Sequence, residues 1–145
     1  MRAALAAQWR EHGRTGHASI AAFAKLTLEL IALGAPPELV EGSPRDALDE
    51  RRHTQLCFSL ARALDGKAES PGAFPAALSA RSTSLPRTAS LARLAVDSLI
   101  DGALHEGVSA RVIARLVKRC QDPATREVLR ELAADEGRHA AARTA

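Results

Sequence analysis

Two short segments, Asp49-Glu50-Arg51-Arg52-His53 and Asp135-Glu136-Gly137-Arg138-His139, repeat one pattern a third of the way along the chain and again near its end. In each, a Glu precedes a His by three positions, and on a helix that spacing sets both side chains on one face about one turn apart. Extended at helical spacing, the first stripe reads Ala47, Glu50, His53, Cys57, Leu60, Leu64, and the second Leu129, Leu132, Glu136, His139. Each is apolar apart from its Glu and His. A carboxylate and an imidazole inside an apolar seam cost free energy unless a compensating charge lies between them, and a metal ion supplies one. Two such stripes constrain the chain to be helical and to turn both of them toward a core.

Composition agrees. Hydrophobic residues make up 46% of the 145 positions and aromatics only 3%, with Ala and Leu prominent, which favours packed helices over sheet. The expected class is all-α, in one domain spanning 1–145, a length that supplies one sizeable core. The net charge of +3 comes from Lys and Arg dispersed among acids, so no nucleic-acid surface is expected. No uninterrupted apolar run approaches the length of a membrane span, and Met1-Arg2-Ala3-Ala4-Leu5 does not read as a secretory leader. Cys57 and Cys120 are then two thiols of a reducing compartment, and a soluble cytoplasmic protein is expected, with Cys57 in the core. The absence of Tyr excludes chemistry that stores a tyrosyl radical.

Four helices are indicated by the punctuation. The first, about 5–33, ends at Gly34 with Pro36 and Pro37 beyond, and its inward stripe reads Trp9, His12, Gly16, Ile20, Phe23, Thr27, Leu30. Gly13 and Gly16 weaken its first half by about 1 kcal/mol each relative to Ala. The second, about 44–64, starts at Ser43-Pro44 and stops at Asp65-Gly66. A Pro-, Ser- and Gly-rich connection over 66–88 is long for a compact domain, and a crossover between parallel helices two and three accounts for it. The third helix, about 89–119, has the inward stripe Ala92, Ala95, Leu99, Gly102, Glu106, Ala110, Ile113, Val117, in which Glu106 alone is charged and Gly102 and Gly107 mark a bulge or a close helix approach. The fourth, about 123–143, starts at Asp122-Pro123.

Four helices, a long second connection and inward Glu-x-x-His on two of them resemble the ferritin-like di-iron carboxylate proteins. The segments Gly16-His17-Ala18-Ser19-Ile20-Ala21-Ala22-Phe23-Ala24, Leu33-Gly34-Ala35-Pro36-Pro37-Glu38-Leu39 and Ala47-Leu48-Asp49-Glu50-Arg51-Arg52-His53 resemble a functionally uncharacterised bacterial branch of that superfamily, over nearly the whole chain. The resemblance implies a ferritin-like four-helix bundle and a metal set of Glu50, His53, Glu106, Glu136 and His139. It also implies a sixth ligand, a Glu from helix one, at the position where this chain has Gly16. In the family's scheme the missing Glu and His53 serve one metal, Glu106 and His139 the other, while Glu50 and Glu136 bridge. The gap at Gly16 is then filled by water or an exogenous ligand, by His12 or His17, or not at all, leaving one metal or none. His105, one step off the stripe, is expected outside the ligand set.

The resemblance implies iron, as two ions or as one if the first position is lost, with manganese as the other candidate. The function it implies is an oxidoreductase, a di-iron or mononuclear-iron oxidase or oxygenase acting with O2 or peroxide on a small molecule. The alternatives are an iron-binding or storage protein and a metal-free scaffold holding a partner or small ligand. A twofold homodimer through helix faces is compatible with each.

Overall fold

The computed structural model describes residues 1–74 and 85–144. Among these the chain is helical with no strand: α1 (Arg2–Ala32), α2 (Pro37–Asp65), α3 (Arg87–Asp97), a π-helical segment (Ser98–Leu104), α4 (His105–Arg119) and α5 (Pro123–Ala142). The π-segment joins α3 to α4 without a break, so the all-α expectation holds as four helical rods. No helix among the described residues is long and apolar enough to cross a membrane. Of the expected connection over 66–88, residues 75–84 lie outside those described. The chain divides into two compact units, Met1–Arg81 and Ser82–Ala145.

In the first unit α1 and α2 form an antiparallel hairpin whose turn is set by backbone geometry. Gly34 takes φ 66°, its N–H bonds to Ile31 O, and the Ala35 N–H bonds to Leu30 O, both at 3.0 Å. This pair of bonds satisfies carbonyls that the helix end would leave open, and the left-handed conformation it needs favours Gly. α2 starts at Pro37, earlier than the expected position 44, and Pro44 lies inside it. Ser43 is the reason the sequence signal misleads: its hydroxyl donates 2.8 Å across to Phe23 O on α1 rather than capping a helix of its own. That link lets α2 run through Pro44 despite the lost bond to the carbonyl four residues back.

α1 starts at Arg2 and does not weaken at its glycines. Both Gly13 and Gly16 are buried, because here α1 and α2 come close. A Cβ at Gly13 would lie 2.7 Å from the Phe58 ring and 3.3 Å from Cys57 Cβ. The packing that glycine permits offsets the helix propensity that it lacks. His12 is exposed, so the buried stripe runs through Ala6, Trp9, Arg10, Gly13 and Gly16 instead. The expected stripe of α2 holds, with Glu50, His53 and Cys57 all buried.

At the open end of the hairpin, Arg10 is only 5% exposed and holds α2 by charge. Its guanidinium donates to both Asp65 oxygens, at 2.8 and 2.9 Å, and to Lys67 O at 3.0 Å, while its Nε lies 2.8 Å from Glu69 Oε1. A two-pronged guanidinium–carboxylate contact is among the stronger charged hydrogen bonds. The Arg10 bond, aided by the Lys67 N–H, holds the Asp65 carboxyl down to a pKa of about 2.

In the second unit α3, the π-segment and α4 form one rod, of which the π-segment and α4 pack against α5, whose start is capped by Asp122 accepting from the Thr125 N–H at 2.7 Å. The π-segment overturns the expected stripe of helix three. One extra residue in a helical run rotates the turns before it by about 100° relative to the turns after it. Accordingly Ala92, Ala95 and Leu99 are exposed and Ser90 is buried, while Gly102 beyond the rotation is buried and Glu106, Ala110, Ile113 and Val117 are half-buried. Gly102 and Gly107 mark both features the sequence suggests, a bulge and a close approach. A Cβ at Gly102 would lie 2.6 Å from Arg143 Cγ, and one at Gly107 would lie 3.7 Å from Ala140 Cβ.

These contacts set the sign of three substitutions. Gly13→Ala should lower stability by about 1 kcal/mol, as overpacking of about 1–3 kcal/mol exceeds a helix-propensity gain of about 1. Gly42→Ala, where a Cβ meets no described atom within 4 Å, should raise stability by up to about 1 kcal/mol. Denaturant titration monitored by circular dichroism reads both. Because folding depresses the Asp65 pKa to about 2, its stabilising contribution is complete above its unfolded value near ~4 and is lost as pH falls through about 2. Asp65→Asn should therefore lower Tm at neutral pH, and the gap from the parent should close in acid; a gap of constant size between pH 7 and 2 would refute this.

Candidate metal-binding residues

The first Glu and His pair lies in the middle of α2, one turn apart, as the spacing demands. Glu50 and His53 are 5% and 4% exposed, and His53 Nδ1 lies 3.5 Å from Glu50 Oε1. That separation is long for a hydrogen bond. Two ligands bonded at about 2.1 Å to one ion, at right or tetrahedral angles, stand roughly 3.0–3.4 Å apart, so the pair has the separation of two neighbouring ligands. Thr54 Oγ1 donates to the Glu50 carbonyl at 2.9 Å and tightens this turn of the helix.

Gly16 faces this turn from α1. A Cβ there would lie 3.0 Å from Glu50 Oε2 and 3.2 Å from Thr54 Oγ1, so the position at which the resemblance implies a ligand does lie opposite Glu50. A Cβ at this position would press on the end of the Glu50 side chain and on the Thr54 hydroxyl, each of which would have to give by a few tenths of an ångström. Glycine thus supplies no ligand and also brings α1 against the carboxylate.

The two histidines considered as substitutes are engaged elsewhere. His12 is exposed, with its ring edge-on to Trp9 at 6.2 Å, and His17 stacks on Phe74 at 4.0 Å with 15° between planes. Neither joins any group of three His, Cys, Asp or Glu donors within 4.8 Å of one another among the described residues. One turn before Glu50, Asp46 and Asp49 offer carboxylate oxygens within 4.8 Å of each other, both half-buried. Sequence reasoning treats Asp49 only as part of the repeat and misses this pair, although its i, i+3 spacing is the signal that marks the Glu and His pairs.

One turn past His53 on the same stripe, Cys57 is 2% exposed. Burial, with a smaller push from the Glu50 charge, raises its thiol to about 12. It stays neutral at physiological pH and acts as core, since the thiolate is the reactive form.

In the second unit, α5 carries the other pair. His139 is fully buried and Glu136 half-buried, and the stripe before them, Leu129 and Leu132, is buried as expected. Asp135, at 8% exposure, holds Arg138 at 2.6 Å across one turn. Glu106 is half-buried in the first turn of α4, next to Gly107, where α4 lies against Ala140 of α5. His105 is exposed, in keeping with its expected place outside the ligand set.

The donors fit a hard-to-borderline divalent cation: carboxylates and imidazoles at helical spacing, with no thiolate. Glu50 and His53 lie one turn apart on α2, and Glu136 and His139 one turn apart on α5, while among the described residues no group of three His, Cys, Asp or Glu donors within 4.8 Å of one another includes Glu106.

The difference in burial gives a simple check. In the native protein a thiol reagent such as DTNB should modify Cys120, which is half-buried and whose Sγ lies 3.5 Å from Asp122 O, and should leave Cys57 untouched until denaturant is added. Modification of both at similar rates in the native state would contradict the burial of Cys57.

No protein-family model, curated protein or solved structure matches the chain, which leaves the chemistry of these residues as the ground for a function.

Proposed function

We propose that the chain is a ferritin-like non-haem iron protein of the di-iron carboxylate type, acting as an O2- or peroxide-dependent oxidoreductase whose first metal position is impaired at Gly16. The observation that carries this reading is the buried Glu50 and His53 pair, 3.5 Å apart, with the Glu50 carboxylate opposite Gly16. The same motif at Glu136 and His139, with Glu106 on α4, supports it. Iron held by carboxylates and imidazoles supplies redox chemistry with dioxygen or peroxide.

The protein's own part is to bind and to shield. Glu50, on the turn that Thr54 tightens, would supply charge to the ion, and His53 would supply a ring nitrogen. The neutral Cys57 thiol and the neighbouring apolar residues of the stripe keep bulk water from that face. With no carboxylate from α1, the Glu50 and His53 position binds its ion more weakly than the proposed Glu106, Glu136 and His139 set, which has one carboxylate more. Loading should therefore occur in two steps of different affinity.

Anaerobic ferrous titration and then exposure to air tests this, with metal content and the near-ultraviolet spectrum as readouts. The expected result is a tight first equivalent, a weaker second and a new absorption on oxidation. Glu136→Ala should remove the tight equivalent and Glu50→Ala the weak one. Glu11→Ala, an exposed residue paired with Arg14 at 3.3 Å, should change neither. Equal metal loss in all three variants would sink the assignment. Iron that is taken up and oxidised in large excess over the ligand sets would make the protein a store, and no retention of iron or manganese would leave a helical scaffold.

A further inference from the structure

The rod of α3, π-segment and α4 has an unusual outer face. Ala92, Val96, Ile100, Leu104, Val108, Val112 and Leu116 succeed one another at intervals of four, and every one is exposed. The six larger residues are each 47–61% exposed, and Leu99 beside them is 49% exposed. α4 buries no residue fully, although its apolar and polar positions are sharply segregated. A row at i, i+4 spacing is a ridge of the kind that packs into the groove of another helix.

Half-exposed aliphatic side chains in this number present roughly 600 Å² of apolar surface, at the upper end of what a monomer leaves in one patch. A standard interface covers about 800 Å² on each partner with an apolar centre, so the ridge supplies such a centre. In sequence the row is symmetric about Leu104, with Ile100 and Val108, Val96 and Val112, and Ala92 and Leu116 the same number of residues away, the π-segment lying on the N-terminal side alone. A twofold axis makes one patch complementary to itself, pairing each residue with its counterpart across the axis.

Charge selects the direction. Exposed Arg111, Arg115, Lys118 and Arg119 crowd the C-terminal end of the rod. The N-terminal end carries Arg87 and Arg93 with Asp97, so a parallel pair would set four cations against four, whereas an antiparallel pair keeps the two clusters apart and sets each near the less basic end of the other copy, where Asp97 is exposed.

We propose that this ridge is a homodimer interface, in which two copies of the chain pack α3, π-segment and α4 antiparallel about a twofold axis at Leu104. The π-segment makes the interface available, because its rotation turns Ala92, Ala95 and Leu99 outward beside the residues that come after. The face lies wholly within the second unit and does not depend on metal.

Sedimentation velocity of the full chain from about 1 to 100 µM tests the proposal. The expected species has the mass of two 15.4 kDa chains, and Leu104→Arg, at a position already exposed, should weaken association by about 100-fold by burying two unpaired charges. Circular dichroism should show unchanged helix content in that variant. With Cys57 and Cys120 replaced by Ser, a short bismaleimide should link Leu104→Cys to itself, and should link Val96→Cys to Val112→Cys but not Val96→Cys to Val96→Cys. A monomer at 100 µM, a dimer indifferent to Leu104→Arg, or Val96→Cys linking to itself would each overturn the proposal. So would a monomer that co-sediments with lipid vesicles, which would assign the ridge to a membrane surface.

Discussion

How near two helices can approach is decided by what stands between them, and in the first unit it is the absence of side chains on α1 that decides. Gly13 lets Phe58 and Cys57 come up to the α1 backbone, and one turn later Gly16 admits Glu50 and Thr54. The hairpin is then fastened at both ends by polar links across it, Ser43 to Phe23 near the turn and Arg10 to Asp65 at the open end. Close approach in the middle and directional bonds at the ends fix the register of α2 against α1. That register turns the buried Glu50 and Thr54 toward Gly16.

The same glycine acts on chemistry and on packing, and the two effects oppose a full metal set. A side chain at position 16 would meet the Glu50 carboxylate at its first carbon, and that carboxylate would have to shift to admit it. With glycine the helices close, and the Glu50 carboxylate comes up against the space where a Cβ would be. Under the function proposed above, position 16 contributes no ligand, and the proposed site is asymmetric, with more of its ligands on α4 and α5.

In the second unit a single irregularity has a long reach. Seven residues of π-helix in an otherwise α-helical rod change which side chains face α5 and which face outward on either side. One consequence is that Gly102, Glu106 and Ile113 turn inward. The other is a continuous aliphatic ridge on the outside. Both come from the rotation that an extra residue imposes on a helix, and neither can be had without the other.

The sequence by itself determined the helices, most of their ends and the inward stripes of α2 and α5, because these depend on interactions within a few residues: helical spacing, Gly34 and Gly66 at positive φ, Asp122 at a cap. It also determined that Glu50 with His53, and Glu136 with His139, share a helix face, since three positions on a helix allow nothing else. What only the tertiary structure decided is where neighbouring elements supply the deciding partner. Ser43 looks like a cap until Phe23 O is seen to take its hydroxyl, so α2 starts at Pro37. Gly13 and Gly16 look like weak points until α2 is seen against them. His12 looks inward until Gly13 is seen to be the buried one, and Ala92 and Leu99 look inward until the π-segment rotates them. Local propensity and periodicity act between near neighbours along the chain, whereas close approach and bulges answer to atoms distant in sequence and near in space.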